Sequence, residues 1–190
     1  MKRSIFALEM CLVLDPSTSL QHDLRQLLTR NTEKLSYEQK WYIYQSASHA
    51  LLANHPLWHR GCWDFFDDDT KAQNDFRMWV NGMLTQEGAR KTPSGLPDPY
   101  RGQPRYMTFT MACLLVQGSA AEQAIGRVCN VPQARLWHKS TFESVLQGIR
   151  WVNFAFVEAD TMYLIPGDLG WGLTQADLSE KKFEYLRPIV

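Results

Sequence analysis

Two short stretches of the chain hold the residue types that could do chemistry. The first carries Gln133, Arg135, His138 and Lys139 close together. Arginine pairs with guanine and glutamine with adenine through two hydrogen bonds each, so such side chains at the start of a helix in a major groove could read bases. The second is NHPLWHRGCWD, with His55, His59, Cys62 and Asp64. These types suit zinc, and histidines four apart would share a helix face. Pro56 and Gly61 bracket the pair, however, and shorten any helix there to about one turn. No second half with ligand spacing follows, and Trp58, Trp63, Phe65 and Phe66 suggest an aromatic knot. We therefore expect no metal and no cofactor. A Cys62 nucleophile with His59 as its base is a further option, but adjacency in sequence does not make a dyad.

The remaining candidates have structural readings. Asp67, Asp68 and Asp69 precede a helix and would complement the positive end of its dipole. Gly167, Gly170 and Gly172 surround Trp171 without the Lys-Ser/Thr pair of a phosphate loop. Cys11, Cys62, Cys113 and Cys129 are far apart and lack a C-x-x-C pair, which reads as buried free thiols.

Base-reading side chains need helices to carry them, and residues 105–167 supply the signals. Ser119 and Glu122 form a capping box that opens a helix over 120–129. Asn130 offers a left-handed stop, and Val131-Pro132 reopens a second helix over 133–149. Gly126 is small enough for the crossing, and Ile125, Cys129, Val131 and Leu136 are its apolar anchors. Phe142, Val145, Leu146 and Ile149 form one face of the second helix. Segments 151–157 and 161–165 are aromatic and β-branched, and Glu158 to Asp160 between them are short enough for a hairpin turn. Residues 105–167 resemble a winged helix-turn-helix domain. The resemblance implies that the second helix presents Gln133, Arg135, His138 and Lys139 to double-stranded DNA, with 158–160 at the wing tip.

Upstream, Thr18 with Gln21, Ser36 with Gln39 and Thr70 with Gln73 open three amphipathic helices, stopping near Asn31, Asn54 and Gly88. Residues 89–104 hold four prolines and two glycines and form a connector. Tyr106–Gln117 and Ile5–Leu14 fit helix or strand, and we read the former as a helix completing a three-helix core. Thr174 with Asp177 caps a last helix. The expected fold is mainly α with a small β-hairpin: a helical subdomain over 1–88 and a winged-helix-like subdomain over 105–190. The alternative is α+β, with strands also at 5–14 and 106–116.

Twenty basic and twenty acidic residues cancel, so no global field draws the chain to nucleic acid or membrane. Residues 87–150 nevertheless hold 8 basic and 4 acidic side chains, where the presumed reading helix lies. The apolar run from Ile5 to Leu14 is interrupted by Glu9, lacks a cleavage site and is too short to span a bilayer, so the reading is cytoplasmic. Taken together, these features predict a non-enzymatic DNA-binding regulator that could act as a homodimer. A protein–protein adaptor is the alternative, favoured by the acidic wing tip and the many aromatics. A metal-dependent hydrolase centred on His55 and His59 is the third reading.

Overall fold

The computed structural model describes residues 2–29, 35–84, 95–167 and 170–190. The chain runs β1 (Arg3–Val13), α1 (Leu20–Leu28), α2 (Tyr37–Ala53), β2 (Trp58–Phe66), α3 (Asp69–Leu84), β3 (Tyr106–Val116), α4 (Ala120–Cys129), α5 (Lys139–Gly148), β4 (Val157–Ile165) and β5 (Arg187–Pro188), with single 3-10 turns between. The strands form one antiparallel sheet in the order β4-β3-β1-β2-β5. β1 pairs with β3 from Arg3–Val116 to Val13–Tyr106 and with β2 from Ile5–Phe66 to Leu12–Trp58. Segments on both sides of residues 89–104 therefore share one sheet.

Alternation along β1 sorts the layers, since successive strand side chains point to opposite faces. Phe6, Leu8, Met10 and Leu12 pack with Leu24, Leu51, Ile125, Phe142 and Leu146, which places α1, α2, α4 and α5 over one face. Ile5 and Cys11 look the other way. Ile5 meets Ala72, Phe76 and Trp79 of α3, and Cys11 lies with Leu173, Leu178, Phe183 and Leu186 of the C-terminal segment. One face thus has four helices, and the other has one helix and a stretch of turns.

The mainly α expectation is overturned, and the α+β alternative is the observed class. Tyr106–Val116 is strand, not helix, and ten of its eleven residues are buried. Covering both sheet faces makes both phases of the alternation apolar, which erases the period-2 signal. The expected hairpin of 151–157 with 161–165 does not form. Residues 149–151 and 154–156 are 3-10 turns, and β4 pairs as one strand with β3. Glu158 and Asp160 lie within that strand because cations meet them: Arg3 Nε is 2.8 Å from Glu158, and Lys40 pairs with the buried Asp160. The second helix of the expected motif breaks into a turn at Gln133–Arg135 and α5 from Lys139. Asn130 has φ −79°, not a left-handed conformation.

Other local signals behave unevenly. The Ser36–Gln39 capping box is complete, whereas Ser119 caps α4 and Glu122 turns instead to Ser4 Oγ at 3.1 Å and the Gly118 N–H at 3.3 Å. Asp68, not Thr70, caps α3 by accepting from the Lys71 N–H at 2.8 Å. Thr174 and Asp177 bond reciprocally but open only short 3-10 turns. The expected stops at Asn31 and Gly88, and residues 89–94 of the connector, lie outside the described residues.

Glycines mark where the helices press closest. A Cβ on Gly148 would sit 2.7 Å from Val128 Cγ2, so the α4–α5 crossing uses Gly148; a Cβ on Gly126 would instead meet the Phe65 ring at 3.3 Å. At Gly61 of β2 a Cβ would meet the Phe142 ring at 2.5 Å. Overpacking of this kind costs about 1–3 kcal/mol. Gly61→Ala should lower stability by about that amount in urea titration, and adding Phe142→Leu should recover part of it. An unchanged midpoint for Gly61→Ala would show that α5 does not press on β2.

Candidate functional site

The face of the sheet with the thinner cover carries an unusual polar row. β1 places Glu9 opposite Cys62 of β2 and Thr110 of β3, and Thr110 lies opposite Tyr163 of β4. Glu9 is 1% exposed in the middle of the central strand. Tyr185, from the C-terminal segment, donates its hydroxyl to Glu9 Oε2 at 2.9 Å, while Oε1 has no hydrogen-bond partner. Burial raises the Glu9 carboxyl above its ordinary range, and the hydroxyls of Tyr185, Thr108 and Thr110 counter only part of that. Both threonine hydroxyls are near enough to act on the carboxyl, yet neither completes a hydrogen bond of ordinary geometry. A buried polar group left like this costs free energy, and such groups mark functional sites more often than chance.

Over this row lies a cleft of about 790 Å³ between α3 and the C-terminal segment. It crosses the sheet from Cys62, Asp64 and Phe66 on β2 to Tyr163 and Ile165 on β4. Trp79 of α3 meets Tyr185 edge to face, with ring centroids 6.0 Å apart. Gly82 lets Tyr163 pass under α3, since a Cβ there would come within 2.7 Å of the tyrosine oxygen. Tyr185 belongs to both features: its ring lines the cleft and its hydroxyl reaches Glu9.

Charge is concentrated at the β2 end. The Lys71 ammonium lies 3.2 Å from the Phe66 ring centroid and 2.5 Å from Asp75 Oδ2. Asp64 is half-buried, and burial followed by the nearby Asp75 raises its carboxyl against the lowering effect of Lys71. The Cys62 thiol is pushed up to about 12 by burial, with Asp64 and Glu9 adding to it. It is therefore not the thiolate that a nucleophile requires.

The residues singled out in the sequence are dispersed. His55 lies in a 3-10 turn, edge-on to Trp58 at 6.5 Å. His59 stacks on Tyr106 at 4.9 Å, and its buried Nε2 lacks a partner. Cys62 and Asp64 line the cleft, but among the described residues no three His, Cys, Asp or Glu side chains gather as a metal-binding group. Gln133 and Arg135 share the turn before α5, and Arg135 reaches Ser140 Oγ at 3.5 Å. His138 caps α5, and Lys139 opens it with its ammonium 6.0 Å from the Trp58 ring centroid. The expected aromatic knot at 58–66 is instead strand β2, with Trp63 and Phe65 on the four-helix face and Phe66 on the other; Trp58 donates to Leu51 O and Trp63 to Leu136 O, each at 3.0 Å.

Sequence reasoning passed over Glu9, Trp79, Tyr163 and Tyr185 as site residues. One signal was legible: Glu9 is the sole charge in an otherwise apolar run from Ile5 to Leu14. An acid there must end up buried, because the strand around it is. Nothing in the order of residues joins it to Tyr185, 176 positions away. Among the described residues no helix is long and apolar enough to cross a membrane. Compared with known proteins, the chain matches no protein family, no curated protein and no solved structure.

The raised Glu9 carboxyl has a consequence for stability. The folded state holds this proton more tightly than the unfolded chain does. The stability so gained is complete below the ordinary carboxylate range and is lost as pH rises through the raised folded value. Glu9→Gln cannot ionise, so it should be more stable than the parent near pH 8, by roughly 1–3 kcal/mol, with the gap closing toward about pH 4. Asp64 shifts in the same direction in both proteins, so the difference between their denaturation curves isolates Glu9. Parallel curves across that range would exclude Glu9 as the titrating group.

Proposed function

We propose that this is a non-enzymatic binding protein whose cleft between α3 and the C-terminal segment takes a small molecule with an apolar or aromatic body. The cleft itself carries the reading. It has the size of a small-molecule site, and most such sites are apolar with a few placed polar groups. Its walls are the rings of Phe66, Trp79, Tyr163, Phe183 and Tyr185, and its polar groups are Asp64, Lys71, Asp75, Asn81, Lys182 and the tyrosine hydroxyls. The unpartnered oxygen of Glu9 behind Tyr185 is the kind of local cost that a packing role would not explain.

A second reading, contact with another protein, is supported by a separate surface. Trp151 is 64% exposed, and Tyr37, Trp41 and Phe156 are exposed on α2 and the turns after α5. Trp41 donates to Arg150 O at 3.1 Å, which joins the two stretches. Exposed tryptophan and tyrosine are enriched where proteins meet. Duplex DNA has less support, because Gln133 and Arg135 do not share a helix with Lys139.

A fragment library of small aromatic compounds, screened by protein-observed NMR, tests the cleft. Hits should shift amides of residues 71–82 and 182–185 together. Trp79→Ala should weaken them by at least about tenfold, since truncating a well-packed aromatic anchor costs about 2 kcal/mol. Shifts confined to α2 and residues 149–156, or none at all, would remove this reading.

A further inference from the structure

We infer, resting on the cleft as the binding site, that its ligand is an organic cation: an ammonium group on an apolar or aromatic body. The β2 end of the cleft already shows which charge it prefers. The protein's own Lys71 ammonium lies 3.2 Å from the Phe66 centroid and 2.5 Å from Asp75 Oδ2, held by a ring face and a carboxylate at once. A ring face attracts cations because its quadrupole is negative there. Beside this pair, Asp64 presents a second, half-buried carboxylate that makes no hydrogen bond among the described residues.

Donors and acceptors point the same way. Lys71 is engaged by Asp75, and the other lysine of the cleft, Lys182, lies 2.9 Å from Glu180. An anion would have to share a lysine with its acid and face Asp64. A cation finds Asp64 open and can share or take over the place of Lys71 on Phe66. Its body then lies along the edge-to-face pair of Trp79 and Tyr185. Carboxylate plus aromatic face is the combination by which proteins hold ammonium ions.

Three probes of matched size decide the sign: phenethylammonium, phenylacetate and phenethyl alcohol, titrated at neutral pH into the full chain and followed by NMR shifts of residues 71–82. The cation should bind at least tenfold tighter than the anion and severalfold tighter than the alcohol. Asp64→Asn should cut the cation-to-alcohol affinity ratio by at least threefold, and Phe66→Leu should do the same while the melting temperature checks that each variant folds. If phenylacetate binds as well as the cation, or the ratio is unmoved in both variants, the charge assignment is wrong and the cleft remains a binding site for apolar molecules. If none of the three shifts these residues, the cleft reading falls, and this inference with it.

Discussion

The structure hangs on β1. It is hydrogen-bonded on both edges, to β2 and to β3, and Ser4 to Leu12 are buried. A strand in this position needs cover on both faces, because each face of a sheet must be withdrawn from water by another layer. Four helices provide that cover on one side. The crossing from β2 to β3 puts α3 on the other, the one helix of that face among the described residues. The C-terminal segment supplies the rest. Its last residues are fixed by backbone bonds: Ile189 N–H to His59 O at 3.2 Å, Val190 N–H to Trp137 O at 2.9 Å and Lys139 N–H to Val190 O at 2.6 Å. Its middle is turns, and turns cover a sheet less evenly than a helix does. The cleft lies where these two unequal covers fail to meet.

This inequality sets the chemistry of the two faces. The four-helix side is close-packed, with Phe6, Phe109, Phe142 and Phe154 fully buried and glycines at 61 and 148 admitting neighbouring side chains. Charges on that side are matched where they are buried. Asp160, with its side chain 5% exposed, has Lys40 and the Tyr44 hydroxyl as partners. On the opposite face, among the described residues, the Glu9 carboxyl has an ordinary hydrogen bond from Tyr185 alone, while the nearby Thr108 and Thr110 hydroxyls fall short of ordinary geometry. Natural proteins depart from full polar satisfaction mainly at sites where function needs it. Among the described residues Gln21 and Gln45 on the four-helix side also keep an unpartnered buried nitrogen, but the row of Glu9, Thr108 and Thr110 is the one that lies beneath the Tyr185 wall of the cleft.

Tyr185 couples the two. Its ring forms part of the wall that a bound molecule would touch, and among the described residues its hydroxyl makes the only ordinary hydrogen bond that the Glu9 carboxyl receives. A molecule that moved this ring would therefore change the solvation of a buried acid. The cleft's lysines are bound to acids of their own, so its uncommitted groups are acceptors and ring faces. The aromatic surface on α2 and after α5 is built differently. It stands on the outside of the four-helix layer, where the buried acid beneath α2, Asp160, is already paired with Lys40 and the Tyr44 hydroxyl, and it suits a broad contact better than a small ligand.

Much of the local structure was legible in the residues. The Ser36–Gln39 box and the helix over 120–129 after Ser119 rest on interactions between residues a few positions apart, where spacing alone decides. Strand against helix for 5–14 and 106–116 was not decidable this way. Both faces of those strands are apolar because both are covered, and whether a face is covered depends on helices far along the chain. The acids at 158 and 160 read as a turn because their partners, Arg3 and Lys40, are more than a hundred residues away. The site shows the same division. A lone Glu9 in an apolar run announced a buried acid, since its neighbours could only be core. That it faces Tyr185 beneath a cleft walled by α3 was decided by sheet register and by where the C-terminus docks, and both are set by packing between distant segments.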